Sequence, residues 1–114
     1  MTDYFMKVSG DTKVLAGSTS GFTQENQCDD SNQKFDIDPN GSFTVIKCLN
    51  NRFWKYFQSS SEVKLVGMPP TGNVGKFQVK SNGSDYEVFC KAVNNGTTRI
   101  AIAGAYEFDL QSVS

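Results

Sequence analysis

The run Lys34-Phe35-Asp36-Ile37-Asp38-Pro39-Asn40-Gly41-Ser42 returns 42 residues later as Lys76-Phe77-Gln78-Val79-Lys80-Ser81-Asn82-Gly83-Ser84. Lys, Phe, a branched aliphatic and Asn-Gly-Ser recur in one register. A strand places every second side chain on the same face, so Phe35 and Ile37 share a face, as do Phe77 and Val79. The register persists beyond the turn, where Thr44, Ile46 and Cys48 fall on Tyr86, Val88 and Cys90. Two related units of this length point to a small repeat architecture before any local propensity is consulted.

A third copy is readable at the two ends. Tyr4, Met6 and Val8 match Thr44, Ile46 and Cys48 under a shift of 40, and Phe108-Asp109-Leu110 repeats the Phe-x-aliphatic step. The middle strand recurs as Lys13-Val14-Leu15-Ala16-Gly17, Arg52-Phe53-Trp54-Lys55-Tyr56 and Arg99-Ile100-Ala101-Ile102-Ala103-Gly104. The chain therefore divides into units of about 4–42, 43–84 and 85–114 within one domain, 1–114. The third unit is short and lacks most of the strand that Glu62 to Met68 supplies in the second.

An all-β fold agrees with the remaining signals. Nine Phe, four Tyr and one Trp suit a pleated surface, where flat and branched side chains pack well. No window keeps an apolar period of 3.6, so no long helix is expected. Turns are expected at Ser9-Gly10-Asp11, Asn40-Gly41, Asn82-Gly83 and Asn95-Gly96, because Asn-Gly tolerates the positive φ of tight hairpins.

Charge and composition narrow the function. A formal charge of −1 creates no field to draw in nucleic acid. No apolar run approaches a membrane span, so no membrane insertion is expected. The start, Met1-Thr2-Asp3-Tyr4, lacks the basic-then-apolar layout of a secretory signal, which predicts a cytoplasmic protein, with non-classical export left open. The absence of histidine removes the usual general base and the commonest metal ligand. Ser59-Ser60-Ser61 has no base beside it. Asp36 and Asp38 lie on one strand, whereas glycosidase carboxylates flank a cleft from different elements. The chain is not expected to be an enzyme or to need a cofactor or metal.

Three cysteines make an odd count without metal-site spacing. Cys48 and Cys90 sit at equivalent strand positions, where free Cys serves as a small core residue; a disulfide between them is the alternative. The sequons Asn40-Gly41-Ser42, Asn82-Gly83-Ser84 and Asn95-Gly96-Thr97 are glycan acceptors only in an exported chain; the preferred reading of each is a plain hairpin turn, because nothing else points to export.

One cluster stands out. In Cys48-Leu49-Asn50-Asn51-Arg52-Phe53-Trp54-Lys55-Tyr56-Phe57 a turn with two amides runs into a strand with aromatics on both faces. Phe53, Lys55 and Phe57 share one face; Trp54 and Tyr56 share the other. Either one set fills the core and the other packs under a neighbouring loop, or Trp54 and Tyr56 form a recognition surface. In the second case the rings stack on a sugar while amides and Arg52 bind its hydroxyls.

Three units of this kind are what a β-trefoil requires: a short closed barrel capped by one hairpin from each unit. The segment from Lys34-Phe35-Asp36-Ile37-Asp38-Pro39 through Ile46-Lys47-Cys48-Leu49-Asn50-Asn51-Arg52-Phe53-Trp54 resembles the amaranthin-type agglutinin domain. That family shows Phe-acid-Val-acid-Pro, then Ile-basic-Cys, then Asn-Asn, a basic residue, an aromatic and Trp. The likeness covers residues 33–67, and departs from the family at Gln58-Ser59-Ser60-Ser61-Glu62-Val63, where family members carry aromatic and His residues. It implies a metal-independent β-trefoil lectin for glycans of the galactose or N-acetylgalactosamine type. The ligand-binding residues nominated are Asn50, Asn51, Arg52, Trp54 and Tyr56, with Asn94 and Asn95 at the matching turn of the third unit and Asp11 at that of the first.

Two other classes compete. A protein-binding trefoil of cytoskeletal or actin-binding type would use a basic patch, and Lys47, Arg52, Lys55 and Lys64 gather in one unit. A protease inhibitor would present a stiff loop, for which Met68-Pro69-Pro70-Thr71-Gly72 is the candidate, although a rigid connector is the preferred reading of that loop. A homodimer is a further expectation, either through the Trp54 surface or across the edge left by the short third unit.

Overall fold

The computed structural model describes Thr2–Val113. Eleven strands are present among these residues: β1 (Thr2–Val8), β2 (Lys13–Ser18), β3 (Gly21–Asn26), β4 (Phe35–Ile37), β5 (Lys47–Cys48), β6 (Phe53–Phe57), β7 (Glu62–Val66), β8 (Phe77–Ser81), β9 (Tyr86–Cys90), β10 (Arg99–Ile100) and β11 (Phe108–Ser112). Only short 3₁₀ turns interrupt them, at Ser31–Gln33, Asn73–Gly75 and Asn94–Gly96.

Three phenylalanines show how the strands close into a barrel. Phe35 lies opposite Tyr4 on one side and Cys48 on the other. Phe77 lies between Thr44 and Cys90, and Phe108 between Tyr86 and Val8. Each Phe thus joins equivalent positions of adjoining units, and all these pairings are antiparallel. The ring runs β1, β4, the segment ahead of β5, β8, β9 and β11, then returns to β1, which buries the edges of an open sheet. Hydrogen bonds repeat with the sequence. The amides of Leu49 and Lys91 donate to the carbonyls of Lys34 and Lys76, both at 2.9 Å. The thiols of Cys48 and Cys90 donate to the carbonyls of Ser31 and Asn73, at 3.2 and 3.5 Å.

Hairpins cap one end of the barrel. β2 and β3 pair from Lys13↔Asn26 to Ser18↔Gly21, and β6 and β7 from Phe53↔Val66 to Phe57↔Glu62. The third hairpin shrinks to an Ile102↔Ala105 bridge beyond β10. Its two turn residues, Ala103 (φ 53°) and Gly104 (φ 77°), both take the left-handed backbone that a two-residue hairpin loop needs. The third unit is also one residue out of step. Arg99 faces Phe89, where the other units place Val14 against Lys7 and Phe53 against Lys47. Ile100 therefore takes the inward place of Leu15 and Trp54, and Arg99 turns outward.

The core lies where barrel and cap meet. Trp54 is at its centre, fully buried, with the rings of Phe22, Phe35 and Phe77 set edge-on or nearly so at 5.2, 5.3 and 5.5 Å between centroids. Met6, Leu15, Ile37, Ile46, Val79, Val88 and Phe108 complete it.

Cys48 and Cys90 are separate free thiols within this core, so the disulfide alternative falls. Burial pushes both thiols above the ordinary range, more than nearby backbone amides pull them down. Cys28 is exposed. In a native thiol titration with a disulfide reagent, only Cys28 should react promptly, and all three cysteines should react after unfolding. Prompt native reaction of a second thiol would contradict the closed barrel.

Candidate functional site

The nominated amides and carboxylate occupy equivalent turns, one in each unit, ahead of β2, β6 and β10. Their polar groups hold the turns. Asp11 Oδ1 accepts from the amides of Thr12 (2.6 Å) and Lys13 (3.2 Å). Asn50 Oδ1 accepts from the Arg52 amide at 3.1 Å, and Asn51 takes φ 64°. Asn94 and Asn95 are both left-handed, and Asn94 Nδ2 donates to Thr98 Oγ1 at 3.0 Å. The Asp11 and Asn50 turns are Asx-type, with local backbone amides donating to one side-chain oxygen of each.

The Trp54 platform is corrected by the structure. Trp54 has no exposed surface and cannot touch a glycan or a second copy of the chain. Tyr56, on the same face, is partly buried against the core. The strand's alternation is as expected, but the barrel takes the Trp54–Tyr56 face inward and leaves Phe53, Lys55 and Phe57 half-buried on the outer one. Arg52 is exposed beside the Asn50–Asn51 turn, without an accessible aromatic partner from its own strand's inner face. A small hollow of about 240 Å³ lies there, lined by Asn51, Lys47, Asp3 and Asp36. Asp36 is half-buried, with one oxygen lacking a partner among the described residues, so it is not the freely solvated charge its strand position suggests.

An exposed ring is found instead at Tyr106, which keeps 47% of its surface. It lines a groove of about 560 Å³ with Ser9, Asp11, Gln24, Arg99 and Glu107. The groove exists because the third hairpin is only a tight turn, leaving the flank of the β2–β3 hairpin uncovered. Gln24 reaches across from β3 and donates to the Ala103 carbonyl at 2.8 Å. Arg99 donates to Glu87 at 2.7 Å and to Glu107 at 3.4 Å, and its guanidinium carbon lies 4.8 Å from the Tyr106 centroid. The Glu87 carboxylate is the main reason the Arg99 guanidinium holds its proton even more firmly than usual. Asn82 donates to Glu107 at 3.2 Å, and Ser9 to Asp85. This mesh fixes the groove wall before any ligand arrives. The second Asp11 oxygen and the Gln24 side-chain carbonyl have no partner among the described residues and face a site with directed polar groups beside a ring.

Asp11 is thus the one nominated residue that the structure brings into this groove. Gln24, Arg99, Tyr106 and Glu107 were not nominated. The available signal was the shortness of the third unit, which leaves its neighbours uncovered.

The other two units differ at matching flanks. The first has a polar hollow of about 280 Å³ with Glu25, Asn26, Asp30 and Asn32. The second has an apolar groove of about 400 Å³ with Met68, Pro69, Pro70 and Val74. Neither lining includes an aromatic ring.

No protein-family model matches the sequence, and no curated protein matches it. Solved structures do match in shape. The BEL β-trefoil superposes with a TM-score of 0.71 at 12% identity, covering 98% of this chain and 93% of that one. The designed threefold-symmetric protein ThreeFoil gives 0.64 at 12% identity, covering 98% and 90%. The chain is a β-trefoil. A GlcNAcα1-4Gal-releasing endo-β-galactosidase from Clostridium perfringens gives 0.72 at 9% identity over the whole of this chain, which spans only 33% of that enzyme. At such identities the likeness extends to the trefoil fold alone.

Proposed function

We propose that this β-trefoil is a non-catalytic, metal-independent carbohydrate-binding protein whose site is the Tyr106 groove. The observation that carries the reading is the half-exposed Tyr106 ring set against a prearranged polar wall. A pyranose has one face of C–H bonds that stacks on such a ring, and hydroxyls at its edge that need directed partners. Asp11 and Gln24 supply acceptors; Arg99 and Glu107 are already held in place, so little ordering is lost on binding. We assign galactose or N-acetylgalactosamine-type glycans. Their axial 4-hydroxyl leaves a continuous C–H face for stacking, and the amaranthin-type motif over residues 33–67 supports the same ligand class. A structural neighbour is named for releasing a galactose-containing disaccharide, which agrees with this assignment.

The test is binding of the labelled chain to a glycan array, with free galactose and N-acetylgalactosamine as competitors. Selective signal that these sugars remove is the expected result. A blank array from folded protein would overturn the reading.

A further inference from the structure

The outer face of the β6–β7 hairpin carries two lysines side by side. Lys55 and Lys64 are paired directly across the two strands. Like charges in that position destabilise a hairpin. Both ammonium groups converge on one ring, lying 5.1 and 5.3 Å from the Phe57 centroid. Neither Lys55 nor Lys64 forms an ion pair among the described residues. The two ammonium groups stand side by side on a chain whose net charge is −1.

An apolar groove adjoins them. Lys55 itself lines the hollow of about 400 Å³ formed with Val66, Met68, Pro69, Pro70 and Val74. Met68 is 78% exposed and stands at the rim of this groove. Two consecutive prolines stiffen the rim, which lowers the ordering cost of binding. The matching hollow of the first unit is polar, so the barrel does not dictate this character.

We propose that this face docks an acidic peptide segment of a partner protein. Its carboxylates meet Lys55 and Lys64, and one aliphatic side chain enters the Met68–Pro70 groove. Charge complementarity selects the partner, and the groove selects the register. A membrane surface fits less well, since anionic lipid is held by clusters of about four to eight basic residues. The face is separate from the Tyr106 groove and works whether or not that groove binds sugar.

The probe is a short fluorescent peptide alternating Glu and Leu, compared with its Lys-for-Glu counterpart and with phosphatidylserine vesicles. Binding should be salt-sensitive and confined to the acidic peptide. Lys64→Glu should weaken it at least about tenfold while leaving the thermal midpoint unchanged or raised, because repulsion across the strands becomes attraction. Met68→Ser should weaken it without the change in salt dependence. Full-strength binding to the Lys64→Glu variant would overturn the proposal, as would vesicle binding without peptide binding, or no binding of the acidic peptide by the folded chain. Glycan binding, measured on the same variants, should be unaffected, which separates failure of this surface from failure of the sugar site.

Discussion

Trp54→Ala should cost ~3–5 kcal/mol of unfolding free energy, the usual range for deleting a large buried aromatic. Domains of this kind have only about 5–15 kcal/mol in total, so the variant should unfold at a much lower denaturant concentration or not fold at all. The indole touches rings from three elements: Phe22 on β3, Phe35 on β4 and Phe77 on β8. These elements close different parts of the barrel and cap, so collapse around the lost side chain would have to move all of them. The remaining cavity therefore stays open, which puts the cost toward the upper end. One term works the other way: the indole Nε1 is buried without an acceptor among the described residues. Trp54→Phe removes that unsatisfied donor and keeps most of the ring contact, so it should cost clearly less than Trp54→Ala. Urea unfolding followed by circular dichroism compares the three proteins. An unchanged midpoint for Trp54→Ala would show that the cap does not rest on this residue.

Tyr106→Ala should lower affinity for the array-selected glycan by about tenfold to a hundredfold, ~1.4–2.8 kcal/mol, while leaving the unfolding midpoint nearly where it was. The ring is half-exposed and outside the core, so little buried apolar surface is lost. Its loss removes the surface on which a sugar face would stack, and binding energy is commonly concentrated in one such aromatic. Tyr106→Phe separates stacking from the hydroxyl and should retain most of the affinity. Asp11→Asn preserves the side-chain oxygen that caps the turn through the Thr12 and Lys13 amides, so it tests the carboxylate without breaking the loop. Isothermal titration with the selected glycan gives the affinities. If Tyr106→Ala binds as well as the parent, the site lies elsewhere on the trefoil.

The two substitutions show how differently the fold and the site were written into the chain. Within the agglutinin-like motif Phe35, Ile37, Ile46, Cys48 and Trp54 are buried, whereas Asp38, Lys47, Asn51 and Arg52 are exposed. Its apolar positions report the core, which explains why they lead to the trefoil more directly than to a sugar. The nominated Asn50, Asn51, Asn94 and Asn95 were visible as amides in turns, but the backbone needs of those turns account for them. In the Tyr106 groove, by contrast, Asp11 and Gln24 come from the first unit, and Arg99 and Tyr106 from the third. No spacing rule links these residues along the chain.

By itself, the sequence determined the strand alternation, the 42-residue recurrence, the Asn-Gly turns and the shortening of the third unit. Each is set by local backbone geometry or by repetition, and both survive in a linear reading. Only the tertiary structure decided which face of β6 became the interior. Two aromatic faces compete on that strand, and barrel closure can take only one of them inward. The tertiary structure likewise turned a short third hairpin into an open groove, because the absence of a covering hairpin acquires shape only after its neighbours have closed around it.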